Sequence, residues 1–338
     1  MSASGIAIAR RKALAAQVSA PPLRVSFSWT VAGNVVYAAC QFGMLSVLAK
    51  LGSPSIVGQY ALGLAITAPV FMMTNLQLRG VQATDAHHEF GFADYFTLRL
   101  ISTLLGTLVI LLLTLFAVYD TSTKMVIALV AGAKAIETIS DVIAGHLQKS
   151  ERLDQVARAL MIRGTVSVAI FAAVFWVTRN LITTVAALAL AWMAVIALYD
   201  LRVVARLLGQ HTRFFRFSLE SQKTLLSISW PLGVVMTLAS LNTNIPRYIL
   251  EHKLGTAELG VFASLAYLLT AISLIVIALG QSVCTRMARL FAECDIVRFK
   301  ALLGKLILFA VGLGTVALVI ALFAGRPLLT LVYRPEYA

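Results

Sequence analysis

Long apolar runs separated by short polar breaks fill this chain from about residue 25 to residue 324. A hydrocarbon core of ~30 Å is crossed by roughly 20 helical residues, and each run has about that length. The pattern predicts about nine membrane-spanning segments. They cover residues 25–49, 56–78, 98–118, 125–147, 160–178, 181–201, 224–248, 257–282 and 303–324.

Within each run the apolar residues are continuous and rich in Leu, Ala and Val. Strands of a transmembrane barrel would instead alternate apolar and polar positions over ~10 residues. Composition agrees, since 59% of the residues are hydrophobic and only 13% are charged, far from the balance of a soluble domain. The predicted fold class is therefore all-α, a polytopic integral membrane protein.

Basic residues fall mainly on one side of these segments. If the N-terminus is cytoplasmic, that side holds Arg10, Arg11 and Lys12 of the tail and the basic segment 202–223. Loops rich in Lys and Arg remain in the cytoplasm, so a cytoplasmic N-terminus is predicted. This bias and the attraction to anionic membrane lipids account for the net charge of +13, and no nucleic-acid partner is expected.

Residues 1–24 are predicted to form a cytoplasmic tail, because they lack the apolar core of a signal peptide. The three cysteines are widely separated and suggest neither a disulfide framework nor a metal site. His87 and His88 lie in a polar loop whose spacing matches no strong zinc signature. The sequence contains no GxxxxGK[ST] nucleotide-binding motif, so ATP hydrolysis by this chain is not expected. Neither a cofactor nor a metal is predicted.

An internal repeat relates the two parts of the chain. The sequence SFSW at residues 26–29 recurs as SISW at residues 227–230, and each copy opens an apolar run. Repeats of this kind are common in transporters. The matching positions are Trp29 with Trp230, Gln41 with Asn242, Gly52 with Gly255, and Gly58 with Gly260.

The repeat predicts a first six-helix lobe at residues 25–203, a basic cytoplasmic linker at 204–223 and a second lobe at 224–338. The second copy stops early, because only its first three spans are present. We expect a second lobe truncated after its third helix, through a shortened reading frame or because the sequence is a fragment. The alternative is a protein that works with three spans fewer.

Three segments carry a resemblance to a known family: 33–86, 134–164 and 229–268. They begin GNVVYAACQFG, KAIETISDVIAGHLQ and SWPLGVVMTLASLN. The chain resembles the bacterial polysaccharide biosynthesis and oligosaccharide flippase family, which is part of the multidrug/oligosaccharidyl-lipid/polysaccharide (MOP) exporter superfamily.

The resemblance implies two helical lobes around a central cavity that opens alternately to the two sides of the bacterial inner membrane. It implies a transporter rather than an enzyme. The cargo would be an undecaprenyl-diphosphate-linked oligosaccharide for capsule, O-antigen or exopolysaccharide assembly, with a polysaccharide polymerase and glycosyltransferases as functional partners. Family members have a complete second lobe, and this chain departs from them there.

The fourth span carries most of the ionisable residues within the spans. Lys134, Glu137, Asp141 and Gln148 share one stripe of the helix. Ionisable groups in a membrane are costly and usually face a cavity or a charged partner. Two interpretations stay open: the stripe lines an aqueous path, or its members pair to hold helices together. The like-charged pair of carboxylates needs a proton or a cation from another helix.

The seventh span holds Asn242, Asn244 and Arg247 around Pro246. Proline removes a backbone donor, so the helix is expected to kink or stop there. Arg247 suits a diphosphate, because guanidinium forms bidentate hydrogen bonds with its oxygens. The alternative is an interfacial arginine that pairs with Glu251 one turn later.

Other polar residues extend this set. Gln41, Gln77 and Arg79 are candidates for hydrogen bonds with sugar hydroxyls, although amides also hold helices together. Arg99 and Arg163 are expected either to attract phosphate at the cytoplasmic entrance or, preferably, to anchor the protein to lipid head groups.

Three function classes remain after this reading. The first is a flippase for lipid-linked oligosaccharide. The second is a drug/cation antiporter of the same superfamily, whose cavity should be acidic, whereas Lys134 and Arg247 favour an anionic cargo. The third is a membrane-embedded polysaccharide polymerase or ligase, which usually has a larger extracytoplasmic loop than this sequence offers.

Overall fold

The computed structural model describes residues 23–85, 89–208, 214–215, 217–267 and 295–333, and the regular structure in these ranges is helical. The histidine pair at 87–88, most of the predicted tail and the second half of the eighth predicted span lie outside the described residues. The helices are α1 (Leu23–Leu51), α2 (Pro54–Asn75), α3 (Leu78–Thr84), α4 (Phe92–Phe116), α5 (Thr121–Lys149), α6 (Leu153–Thr178), α7 (Leu181–Val195), α8 (Leu201–Leu208), α9 (Leu219–Leu254), α10 (256–267) and α11 (Ile296–Val332).

The described chain contains six helical segments that are long and apolar enough to cross a membrane. The segments are Ser28–Leu51, Pro54–Thr84, Phe92–Phe116, Leu153–Thr178, Leu181–Leu208 and Leu219–Leu254. On α4 a row of leucines, among them Leu104, Leu108 and Leu115, is at least half exposed. In water such a row would be unfavourable, whereas lipid is its natural solvent. The protein is therefore an all-α, multi-pass membrane protein.

Two predicted spans differ in detail from the helices. The second span is not one regular helix, because Leu76 and Gln77 adopt left-handed backbone angles (φ 52° and 48°) between α2 and α3. In the seventh span, Pro246 does not end the helix, since α9 continues to Leu254. Of the two outcomes expected at this proline, a kink or a stop, the structure excludes the stop.

The apolar core is divided between the two ends of the bundle. We call the end at which α1 begins the near end and the opposite end the far end. The far-end cluster packs residues such as Leu48, Val57 and Phe175. The near-end cluster packs residues such as Leu78, Phe96 and Leu147. Polar side chains concentrate between the two clusters.

The predicted basic linker, 204–223, is partly helical, because α8 extends through Leu208 and α9 begins at Leu219. Between these helices, Phe214 and Phe215 pack edge-on against Phe96 of α4. These ring contacts fix the connection to the near end of the first six spans.

Helices α2 and α10 cross in backbone contact at the far end. A Cβ atom added to Gly58 would lie 1.7 Å from the carbonyl oxygen of Thr256, and one added to Gly260 would lie 2.0 Å from that of Pro54. The same spacing along the chain separates Pro54 from Thr256 and Gly58 from Gly260. The contact is therefore reciprocal between positions that the repeat relates. The hydroxyl groups of Ser55 and Thr256 also lie 3.3 Å apart there.

Candidate functional site

A cavity of about 640 Å³ lies between α1, α2, α5 and α6 on one side and α9 on the other. It extends from the polar middle of the bundle to the near end, where Gln77, Leu147 and Val156 line it. Its volume is in the range of small-molecule binding sites. The charged residues of its lining are Arg79, Lys134, Glu137, Asp141, Arg163, Asp200 and Arg247.

The middle of the cavity is built around Glu137 of α5. Its carboxylate accepts a hydrogen bond of 2.7 Å from Lys134 Nζ and one of 2.5 Å from the hydroxyl of Tyr37 on α1. The ammonium group also lies 5.8 Å from the centre of the Trp192 ring. The lysine–glutamate pair of α5, the phenol of α1 and the Trp192 ring of α7 thus connect three helices.

Asp141, one turn along α5 from Glu137, meets two arginines from other helices. Its Oδ1 lies 3.5 Å from Arg79 Nη1, and its Oδ2 lies 3.2 Å from Arg99 Nη2. Arg99 is fully buried and also donates to Asn75. The like-charged pair on α5 is thus accommodated by cations, with Lys134 at Glu137 and two arginines at Asp141.

A buried ion pair joins α6 to the π turn that follows α7. Arg163 Nη2 lies 3.3 Å from Asp200 Oδ2, and the hydroxyl of Ser140 hydrogen-bonds to both. Asp200 closes the π-helical turn Ile196–Asp200. A regular α-helix drifts by ~40° for every four-residue step. The wider π turn offsets this drift and keeps Ile196, Asp200 and Val204 on the buried face.

The opposite wall comes from α9. Arg247 Nη1 donates to the amide oxygen of Asn244, one turn earlier, at 3.2 Å. Within the described residues no carboxylate pairs with Arg247, and Glu251 is not its partner. Arg247 is the charged group of this wall that has no counter-ion in the described chain.

The structure brings together most of the predicted site residues. On the cavity wall lie Gln77, Arg79, Lys134, Glu137, Asp141, Asn244 and Arg247. The other two predicted residues, Gln41 and Asn242, are not part of the lining: Gln41 is one turn from Tyr37 on α1, and Asn242 is exposed on α9. The described residues contain no group of three side chains able to hold a metal ion.

The preferred interpretation of Arg99 and Arg163 as lipid anchors is wrong. Both side chains are almost completely buried, and both form ion pairs inside the bundle. A guanidinium group can be buried in this way only when carboxylates and hydrogen bonds compensate for the lost water.

Sequence reasoning missed Tyr37, Ser140 and Asp200. Tyr37 and Ser140 are ordinary residues in apolar runs, and nothing in their spacing marks them. Asp200 stood at the end of the sixth predicted span, where a carboxylate is usually solvated. Nothing in the sequence marks its burial, because four-residue steps from Trp192 and Ile196 keep Asp200 on the buried face only through the π turn.

Comparison of this sequence with known protein families identifies its family. Residues 23–291 match the family described as polysaccharide biosynthesis protein, and this range includes both walls of the cavity. The chain belongs to the polysaccharide biosynthesis protein family. One relative is the capsular polysaccharide biosynthesis protein CapF of Staphylococcus aureus, which is 26% identical over 320 residues, 92% of this chain and 78% of that protein.

Solved structures show the fold. The chain is similar to an outward-facing multidrug-resistance MATE-family transporter of the MOP superfamily, with a TM-score of 0.57, 14% identity, and coverage of 92% of this chain and 74% of that one. It is also similar to a MOP-superfamily transporter from Pyrococcus furiosus whose binding pocket is described as having reverse polarity, with a TM-score of 0.55, 14% identity, and coverage of 90% and 72%. This family member therefore has a MOP-type transporter fold.

Proposed function

We propose that this protein flips an undecaprenyl-diphosphate-linked oligosaccharide across the bacterial inner membrane for the assembly of a cell-surface polysaccharide. Membership of the polysaccharide biosynthesis protein family, the relative CapF and the transporter fold support a role of this class. A polysaccharide polymerase and glycosyltransferases would be its functional partners. The observation that carries the proposal is Arg247, a cation without a counter-ion in the described chain that faces a cavity with charged and polar side chains in its wall.

The proposed architecture has two lobes, residues 25–203 and 224–338, joined by the basic linker 204–223. In this architecture the cavity lies between the lobes, since α1, α2, α3, α5 and α6 line one side of it and α9 lines the other. With the N-terminus in the cytoplasm, the near end faces the cytoplasm. The cargo then enters at the near end, and the far-end contact of α2 with α10 keeps the opposite side closed.

The head group has matching chemistry in the cavity. Guanidinium binds phosphate oxygens through paired, charge-assisted hydrogen bonds, and it keeps its charge when water is excluded. Arg247 therefore takes the diphosphate. The amides and hydroxyls of the lining, such as Asn34, Gln77 and Thr67, hydrogen-bond to sugar hydroxyls. Rocking of the two lobes would then expose the bound head group at the far end.

A drug/cation antiporter is the second candidate, because the fold is similar to that of a MATE-family multidrug transporter. A cationic cargo requires a carboxylate that is free to meet it. In this cavity Glu137, Asp141 and Asp200 each form an ion pair with a lysine or an arginine. The charge distribution therefore favours an anionic cargo.

The test is complementation of a bacterial strain that lacks its own oligosaccharide flippase. We expect the wild-type chain to restore surface glycan and Arg247→Gln to reduce it about tenfold or more, the effect of losing a charge-assisted hydrogen bond. Arg247→Lys should restore part of the activity, since it keeps the charge but loses the bidentate geometry.

The matched control is Arg298→Gln, which removes a highly exposed arginine at the start of α11. This variant should behave like the wild type. Full activity of Arg247→Gln in membranes with normal protein levels would contradict the assigned role of Arg247. Failure of the wild-type chain in every permissive strain would contradict the function itself.

A further inference from the structure

One carboxylate in the cavity occupies a position that is typical of a bound anion. Asp141 presents one oxygen to Arg79, at 3.5 Å, and the other to Arg99, at 3.2 Å. The two arginines belong to different helices, α3 and α4, and Asp141 is their common partner on α5. A phosphate group bridges two arginines in the same manner.

The three side chains differ in their access to the cavity. Arg99 is fully buried, and its Nε has no hydrogen-bond partner in the described chain. Arg79 and Asp141 are each about one-third exposed and line the cavity. The cavity therefore reaches Arg79 and the Asp141 carboxylate directly, whereas Arg99 is buried outside its lining.

The charges of the three side chains show how Asp141 would affect the binding of another anion. The cluster of Arg79, Arg99 and Asp141 has two cations and one anion, so it keeps a positive charge even when Asp141 is in place. A carboxylate attached to the chain lowers the affinity of such a pair for a second anion, because like charges repel strongly at a site shielded from water. Such a site binds an anion more weakly and releases it more readily than a free pair would.

We propose that Asp141 is an internal counter-ion that occupies an anion-binding position formed by Arg79 and Arg99, and that a phosphate of a polyprenyl diphosphate displaces it when cargo enters the near end. This inference rests on the proposed function and adds a second phosphate position to the one at Arg247. Asp141 acts as a positioning residue, which holds the two arginines in place in the empty cavity and sets how tightly the cargo is held.

The experiment measures the affinity of the purified full chain, in detergent micelles, for farnesyl diphosphate. Asp141→Asn keeps an acceptor for the arginines but removes the competing charge, so its Kd should be about tenfold lower than that of the wild type. A purely structural role predicts the opposite, since loss of the ion pair would loosen the site. An unchanged or higher Kd for folded Asp141→Asn overturns the inference.

A double-mutant cycle shows whether the gain in affinity for farnesyl diphosphate depends on the arginines. In an Arg79→Gln background, Asp141→Asn should no longer tighten binding. If the full gain persists there, the effect is one of overall cavity charge, and the inference fails. The matched control is Asp154→Asn, which removes a carboxylate paired with Arg152 outside the cavity lining and should bind like the wild type.

If Asp141→Asn does not give a monodisperse protein, Arg79→Gln alone tests the inference. Arg79 is partly exposed, and its loss should raise the Kd severalfold; an unchanged Kd would overturn the inference. The proposed function fails separately, if the wild type binds farnesyl diphosphate no better than farnesol. Binding that depends on Arg247 but not on Arg79 or Asp141 would leave the function intact and remove only this second position.

Discussion

Asp85 lies just beyond α3 at the near end, outside the membrane-spanning segments. Its carboxylate accepts a hydrogen bond of 2.9 Å from Lys149 at the end of α5 and further bonds from the backbone N–H groups of Glu89 and Phe90. Burial alone would raise the pKa of Asp85, but these donors outweigh burial and hold the pKa below its ordinary value. The ionised carboxylate thus ties the start of α4 to the end of α5.

This pair predicts a pH dependence of stability. A depressed folded-state pKa gives stabilisation that is complete above the ordinary pKa of 3.8 and is lost as the pH falls through the lower folded value. Melting temperatures in detergent, measured as the pH is lowered from above 3.8 to well below it, should therefore fall less steeply for Asp85→Asn than for the wild type. Parallel curves for the two proteins would contradict the pairing.

Individual residues were predictable where their charge stood out from the apolar runs. Lys134, Glu137 and Asp141 were found because ionisable groups on one helical stripe are rare in a membrane. Their pairings with Tyr37, Arg79 and Arg99 were not predictable, because these partners belong to other helices, and only the packing of those helices brings them together. These three α5 residues both line the cavity and form ion pairs, so each of the two interpretations holds in part.

At the scale of helices, the close crossing of α2 with α10 depends on Gly58 and Gly260, which have no side chains. Val57 and Ala61 of α2 and Leu259 and Ala263 of α10 are fully or almost fully buried there. Small residues let two backbones approach closely, which is how helices associate in a membrane.

Substitution at this crossing should be costly. Gly58→Ala places a Cβ 1.7 Å from a backbone oxygen of α10, so the helices must separate, at a cost of about 1–3 kcal/mol. The control is Gly132→Ala in α5, where a Cβ would meet no atom within 4 Å and should stabilise the helix slightly. Thermal unfolding in detergent compares the two. Equal melting temperatures would show that the crossing tolerates a side chain.

The existence of the helices followed from the length of the apolar runs, but their irregularities did not. The left-handed residues Leu76 and Gln77 and the π turn before Leu201 carry no Gly or Pro that would mark them. Pro246 gave a signal for a break, and α9 nevertheless continues through it. In each case tertiary packing outweighed local preference.

For the whole molecule, the alternating access of the proposed function requires the far end to open. The hydroxyl oxygens of Ser55 and Thr256 are 3.3 Å apart, close enough for a disulfide after Ser55→Cys and Thr256→Cys in a chain whose native cysteines are replaced. Oxidation of this double variant should abolish surface-glycan rescue, and a reductant should restore it. Transport by the fully cross-linked protein would mean that α2 and α10 stay together throughout the cycle.

The single variants Ser55→Cys and Thr256→Cys are the controls for that experiment. Each removes one hydroxyl without allowing a cross-link within the chain. Both should be insensitive to oxidant, so that any inhibition of the double variant is due to the disulfide.

The reciprocal contact at Gly58 and Gly260 also has a symmetry. When residue i touches residue j, and j of one copy touches i of the other, the interface has the form of a twofold homodimer. The crossing of α2 with α10 has this form within a single chain, with Gly58 against Thr256 and Gly260 against Pro54. A side chain at either glycine would meet the backbone of the other copy, so the same restriction to glycine applies at both related positions.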